Sequence, residues 1–241
     1  MSLWHHKIKP LVKKTGIQKP IRSAKSYLQA FALRRKTHES LFNGIYKNNT
    51  WNGVESVSGQ GSDLSETQVL LDILPALLEK YKIQTIIDLP CGDYNWMQHL
   101  NYDFKSYIGI DIVEDIINKN NVRFGNDKKL FLKKDCLRDD LGDADLLLCR
   151  DLLIHFSQKD VYQFFENLKQ SNIRYLLTTH FIGEKNKNIV TGQWHPINLT
   201  EKPYCFPEPK ELLFEKTKMF NGKYAQTKTM ALWELSEILS A

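Results

Sequence analysis

The polar side chains best placed for chemistry in this 241-residue chain sit where short apolar runs end. Asp88 closes the run from Thr85 and is followed by Leu89, Pro90, Cys91, Gly92 and Asp93. Asp111 closes the run from Tyr107, Asp135 and Cys136 follow Leu130-Phe131-Leu132, Arg150 and Asp151 follow Leu146-Leu147-Leu148-Cys149, and Thr179 and His180 end the run from Tyr175. An acid at the end of one run, a glycine in the turn after it and a second acid 23 positions on can grip a nucleoside, because the later carboxylate accepts hydrogen bonds from both ribose hydroxyls. His155 lies just beyond Arg150 and Asp151, where a substrate would approach. Each residue also has a plainer role: Asp88 can cap a helix, Cys91, Cys136 and Cys149 can be buried fillers, and His155 and His180 can be packed imidazoles.

The runs themselves read as strands that are apolar on both faces, and the stretches between them carry helical spacing. The clearest helix is Ser157 to Lys169, with Ser157 as N-cap and Val161, Phe164, Phe165 and Leu168 inward. A second runs from Ser65 to about Lys80, with Ser65 and Gln68 as a capping box and Pro75 kinking it. Alternation of this kind predicts a parallel sheet covered by helices on both sides, with ligands at the carboxyl ends of the strands. Near the C-terminus, Glu211–Glu215 and Met230–Leu235 are predicted to form an antiparallel pair joined by a turn at Asn221-Gly222 with no room for a helix. The long connection from Ile182 to Pro209 carries no amphipathic helix but holds Trp194, His195, Asn198 and Tyr204, which suit an ordered wall able to stack on a sugar-like ring.

Charge is unevenly divided. Residues 1–40 hold ten Lys and Arg against the single acid Glu39, leaving 23 basic and 27 acidic residues in the rest of the chain. The net charge of +5 therefore belongs to a basic N-terminal arm. Such an arm could meet an anionic membrane surface, nucleic acid or an acidic partner, nucleic acid being the least expected of the three. Within the arm, Ala24, Tyr27, Leu28, Phe31 and Ala32 predict an amphipathic helix over 21–41. No apolar run reaches the roughly 18 to 20 residues of a membrane span, so the expected location is cytoplasmic. The four cysteines form no C-x-x-C pair, and His, Asp and Cys show no metal-ligand spacing, so reduced thiols and no metal are expected.

With these residues in order, the stretch from about 65 to 235 resembles the class I S-adenosylmethionine-dependent methyltransferases. The resemblance implies an α/β, Rossmann-like, doubly wound sheet of about seven strands, mostly parallel with an antiparallel C-terminal strand, plus an N-terminal helical extension. It implies S-adenosyl-L-methionine as cofactor, with Asp88, Leu89, Pro90, Cys91, Gly92 and Trp96 near the methionyl end, Asp111 and Ile112 at the ribose, and Asp135 and Cys136 beside the adenine. The family's first motif, D-x-G-x-G-x-G, is altered here: Pro90 and Tyr94 replace two glycines and only Gly92 remains. The runs Asp-Leu-Pro-Cys-Gly-Asp-Tyr-Asn-Trp and Cys-Arg-Asp-Leu-Leu-Ile-His, with Trp51–Ser62, also resemble a bacterial branch associated with sugars and surface polysaccharide biosynthesis.

Two regions follow from this reading: a basic extension with a glycine-bearing loop over 1–62, and a methyltransferase domain over 63–241. Residues 51–62 are expected to form a lid, with Gly59 and Gly61 allowing successive N–H groups to face the methionyl carboxylate. The expected reaction is O-methylation of a small or saccharide-type acceptor by in-line displacement, with His155, Asp151 or His180 as base and Arg150 orienting substrate or pairing with an acid. Two other classes fit the same residues: a nicotinamide-dependent sugar oxidoreductase or epimerase, which lacks its G-x-G-x-x-G here, and a non-catalytic nucleotide- or partner-binding module.

Overall fold

The computed structural model describes residues 30–218 and 223–239. The chain divides into a unit of residues 1–37 and a larger unit of residues 38–241. In the first, the described part is a helical segment that ends in a turn at Arg35 and Lys36. The remainder of the basic arm, including most of the helix expected over 21–41, lies outside the described residues. That helix does not continue to Leu41. A separate helix α1 (His38–Lys47) starts after the turn and passes straight through Asn43-Gly44. Leu41 and Ile45, one turn apart, are both buried and hold it to the second unit, so residues 38–62 belong with the sheet and not with the arm.

Seven strands follow in chain order: β1 (Thr85–Asp88), β2 (Ser106–Asp111), β3 (Lys129–Lys133), β4 (Ala144–Cys149), β5 (Ile173–Phe181), β6 (Glu211–Phe214) and β7 (Lys228–Glu234). All seven coincide with runs singled out from the sequence. Their order is β3-β2-β1-β4-β5-β7-β6, with β1 to β5 mutually parallel and β7 antiparallel to both β5 and β6. Alternate residues feed two separate cores. Ile87, Leu147, Leu176 and Trp233 face one core; Ile86, Leu146, Leu148, Leu177 and Leu232 face the other. Each such side chain contributes roughly 1.5 to 3 kcal/mol by leaving water, which is why the strands read as unbroken apolar runs.

Helix α2 (Leu64–Lys80) covers the second core with Leu70, Leu74, Leu77 and Leu78, and continues through Pro75. Its start differs from the expected capping box. Asp63 is the N-cap, but its carboxylate accepts from the Glu55 and Ser56 N–H groups instead, and Glu55 accepts from Leu64 N–H at 2.7 Å. The loop before the helix thus caps it. Helix α3 (Glu114–Phe124) follows β2, and α4 (Gln158–Leu168) covers the first core. Ser157 caps α4 as expected, accepting from Asp160 N–H at 3.2 Å. A one-turn helix α5 (Lys223–Thr227) leads directly into β7, where no helix was expected; the Asn221-Gly222 turn lies outside the described residues. The last element among the described residues is α6 (Leu235–Leu239).

Candidate active site

Strand order reverses between β1 and β4, the point at which the carboxyl ends of an open parallel sheet leave a crevice. A cavity of about 370 Å³ opens there. Asp88, Leu89, Pro90, Cys91, Gly92 and Trp96 line it from the β1 side, Asp111, Ile112, Asp135 and Cys136 from the ends of β2 and β3, and Gly59 and Gly61 from above. Arg150, Asp151 and His155 complete it beyond β4. His180 is not among the lining residues, as described below.

Asp111 is fixed by backbone donors. Gly92 N–H reaches its Oδ2 at 3.2 Å and Val113 N–H its Oδ1 at 2.9 Å, so each oxygen keeps acceptor capacity. Burial raises its pKa to about 6 against the pull of those bonds. Asp88 is buried beside it, accepts the Tyr107 hydroxyl at 2.5 Å, and is pushed by burial to about 7. Asp135 turns one oxygen to Leu137 N–H at 3.0 Å. Cys91, Cys136 and Cys149 are buried free thiols, and burial lifts the pKa of each well above the ordinary value, as suits fillers and not nucleophiles.

The turn after β1 shows how the altered motif is accommodated. Gly92 has φ 52°, and a Cβ on it would stand 2.1 Å from Ser58 Oγ. Tyr94, where the family pattern has glycine, also adopts φ 59° and spends its ring in the core against Tyr107 and Phe131. Such a backbone costs of order 1 kcal/mol or more, offset here by aromatic packing. Leu89, Cys91, Gly92 and Asp93 N–H groups are all consumed within the protein, so the turn offers a ligand no free N–H from these residues, and of its carbonyls those of Cys91 and Gly92 already accept from Tyr94 N–H and Asn120 Nδ2. Free donors lie opposite: the N–H groups of Gln60 and Gly61 have no partner among the described residues.

Residues 51–62 lie over the cavity. Asp93 holds them there, accepting Ser56 Oγ at 2.8 Å, Val57 N–H at 2.9 Å and Ser58 Oγ at 3.2 Å. Arg150 Nη1 donates to Gly61 O at 2.7 Å and Asn95 to Ser62 O at 3.0 Å. Trp51 stacks on His155, with ring centroids 4.8 Å apart and planes 22° apart.

His155 Nδ1 lies 3.0 Å from the Gln193 carbonyl oxygen, which can only accept, so the proton sits on Nδ1 and Nε2 presents a lone pair. Nε2 has no partner among the described residues. Burial holds the His155 pKa below its ordinary value of 6.5, so the ring is neutral at pH 7. Asp151 is different. Lys228 at 2.8 Å, Thr179 Oγ1 at 3.1 Å and Arg150 at 3.5 Å surround it, and despite burial these cations keep its pKa well below the carboxylate range. A carboxylate so stabilised is a poor proton acceptor. Arg150 pairs with Glu215 through Nε and Nη2 at 3.1 and 2.6 Å. Of the two roles the sequence leaves open for it, pairing with an acid is the one occupied.

His180 is corrected to a packed imidazole. It is buried within the sheet, accepts Leu199 N–H at 3.2 Å on Nδ1, packs edge-on to Trp233, and is lowered by burial to about 4. Its side chain points away from the cavity because successive β5 residues alternate between faces. Asp93 lies in the run after β1 that the sequence singles out but its latching role does not show there, and Glu215, Lys228 and Gln193 carry no signal in the sequence. Asp93, Glu215 and Lys228 act through partners 35 to 77 positions distant, and Gln193 acts through its backbone. From α1, Phe42 and Tyr46 add to the wall.

A mostly parallel seven-stranded sheet with β7 inserted antiparallel, carrying a cleft at the β1 and β4 ends, is the Rossmann-like fold of class I S-adenosylmethionine-dependent methyltransferases. Human N-acetylserotonin methyltransferase, crystallised in complex with S-adenosylmethionine, is similar with a TM-score of 0.55 and 13% identity, over 86% of this chain and 61% of that one. The methyltransferase domain of the bacterial protein CtHen1 is similar with a TM-score of 0.51 and 15% identity, over 70% of this chain and 99% of that one. This chain thus aligns with about three-fifths of the human enzyme. No protein-family model and no curated protein matches the sequence.

Proposed function

We propose that the protein is an S-adenosylmethionine-dependent methyltransferase acting on a hydroxyl of a small acceptor. The observation that carries the proposal is Asp111, held by Gly92 and Val113 N–H groups with acceptor capacity left on both oxygens, at the strand-end cleft where a ribose diol would sit. Asp135 and Cys136 would border the adenine, the carbonyl oxygens of the turn after β1 would take the methionyl ammonium, and the Gln60 and Gly61 N–H groups its carboxylate. Pro90, which has no N–H, costs nothing in this arrangement because that turn acts through its carbonyls.

When bound, the cofactor supplies an electrophilic methyl group on a sulfonium centre. The protein's own part is positioning and proton transfer. His155 Nε2 accepts the acceptor's hydroxyl proton, the Gln193 carbonyl fixes the ring and stabilises the imidazolium, and ionised Asp151 lies near enough to favour that charge. The lid excludes water. Amino-group methylation of bases is disfavoured by Arg150-Asp151-Leu152 at the end of β4 in place of an Asn-Pro-Pro or Asp-Pro-Pro run.

The nicotinamide-dependent alternative is opposed by the turn after β1, which has no G-x-G-x-x-G, and by antiparallel β7 between β5 and β6. A non-catalytic binding module would leave neutral, oriented His155 without a purpose. A cytoplasmic location, and peripheral contact of the basic arm with an anionic membrane or acidic partner, belong to the same proposal and rest on the charge of residues 1–40; among the described residues no helix is long and apolar enough to cross a membrane. The saccharide-type acceptor rests on the sequence runs alone.

Calorimetric titration with S-adenosylhomocysteine tests the assignment. Asp111→Ala removes a charge-assisted acceptor and should weaken binding by about 1 to 3 kcal/mol. Unchanged affinity in that variant would remove the basis of the proposal.

A further inference from the structure

The two ends of the cavity differ in chemistry. The end at Asp111 and Asp135 carries carboxylates with spare acceptor capacity. The end beyond β4 carries two indoles and one imidazole: Trp51 from the lid, Trp194 from the connection after β5, and His155. Their grouping is set by backbone bonds as well as by the Trp51 stack. Gly192 N–H donates to His155 O at 2.8 Å and His195 N–H to Ile154 O at 3.0 Å, which places Trp194 beside the His155 turn.

Charges at this end are already matched to one another. Arg150 is bound to Glu215 and the Gly61 carbonyl; Lys228, almost fully buried, lies 2.8 Å from Asp151 and 3.3 Å from Glu215. With Glu66 also attracting Arg150, the two cations are at least matched by carboxylates among the described residues. Among the described residues at this end of the cavity, a phosphate or carboxylate on the acceptor would therefore have to break this buried cluster to obtain a cation.

We infer that the acceptor is an uncharged planar aromatic carrying a hydroxyl, seated against the Trp51 and Trp194 indoles with its oxygen at His155 Nε2. The inference rests on the methyltransferase reading and narrows its acceptor. A saccharide ring would bring several hydroxyls, each needing a partner on burial, whereas at this end Asp151 and Arg150 are engaged, His155 offers one lone pair, and Gln193, with its backbone oxygen on His155 and its side-chain oxygen on Val190 N–H, keeps only its side-chain amide N–H groups. The proton chemistry agrees. A phenol-type hydroxyl titrates near 10, as tyrosine does, which brings it within reach of a neutral imidazole; an aliphatic hydroxyl is a much weaker acid. The phenolic proton passes to Nε2 and leaves as His155 returns to its neutral form.

Calorimetry on the full chain tests this. The protein is first saturated with S-adenosylhomocysteine, whose own binding is recorded, and then titrated separately with 2-naphthol, 6-hydroxynaphthalene-2-sulfonate and methyl β-glucoside. We expect 2-naphthol to bind, the sulfonate to bind at least about tenfold more weakly, and the glucoside not to bind. Trp194→Leu should weaken 2-naphthol by about tenfold while S-adenosylhomocysteine affinity stays at the wild-type value, and Trp51→Phe should retain most of it. Glucoside or sulfonate binding as tight as that of 2-naphthol, or 2-naphthol affinity indifferent to Trp194→Leu, would overturn the inference. S-adenosylhomocysteine binding with no 2-naphthol binding overturns the inference alone; failure of S-adenosylhomocysteine to bind overturns the methyltransferase reading and the inference with it.

Discussion

Of the three side chains that type and position suggest as a base, only His155 has the surroundings of one. Asp151 is stabilised as a carboxylate by Lys228 and Arg150, and His180 is packed within the sheet. His155 is neutral, oriented by Gln193 and open at Nε2. His155→Ala should therefore lower turnover by about 10² or more while cofactor affinity stays near wild type. The pH dependence follows from the direction of the shift. The active form is unprotonated and burial lowers the pKa below 6.5, so turnover at saturating cofactor should hold as pH falls through 6.5 and decline only at more acidic values, while cofactor affinity weakens separately as Asp111, held at about 6, takes up a proton. A rate profile with its acid limb above 6.5, or an alanine variant of equal turnover, would move the base elsewhere. Asp111 and Gly92 are readable from sequence because strand ends and tight turns are local. Arg150 and its pairing with an acid are readable too, but its partner Glu215 is not, since it lies 65 residues away and only tertiary packing joins them.

At the scale of elements, strands were recoverable because burial on both faces leaves an apolar run that no other element requires. The start of α2 was not. Ser65 and Gln68 have the spacing of a capping box, but Glu55, nine residues before Leu64, occupies that role because the lid folds back on the helix. The same fold-back makes Asp93 the latch of residues 56–58. Asp93→Ala removes the acceptor of three hydrogen bonds. Amide exchange across 56–59 should then accelerate by roughly 10-fold or more, which is the effect of losing about 1.4 kcal/mol of local stability. Saturating S-adenosylhomocysteine should restore part of the protection, because the Gln60 and Gly61 N–H groups gain a partner. Exchange in the variant identical to wild type would mean that Trp51 and Arg150 alone hold the lid.

Across the whole molecule, the sheet order and the position of the cleft separate two chemistries that begin with the same acid at the end of β2. A dinucleotide needs a glycine-rich turn after β1 with free N–H groups for its pyrophosphate, whereas here Pro90 has none and the neighbouring N–H groups are spent on Leu148, Ile110, Asp111 and Ser58. A sulfonium amino acid needs carbonyl oxygens for its ammonium and donors for its carboxylate, and those stand on the turn and on the lid. The most direct measurement is a pair of calorimetric titrations of the full chain, one with S-adenosylmethionine and one with NAD. The account predicts saturable one-to-one binding of S-adenosylmethionine and no detectable binding of NAD; binding of NAD with none of S-adenosylmethionine would contradict it.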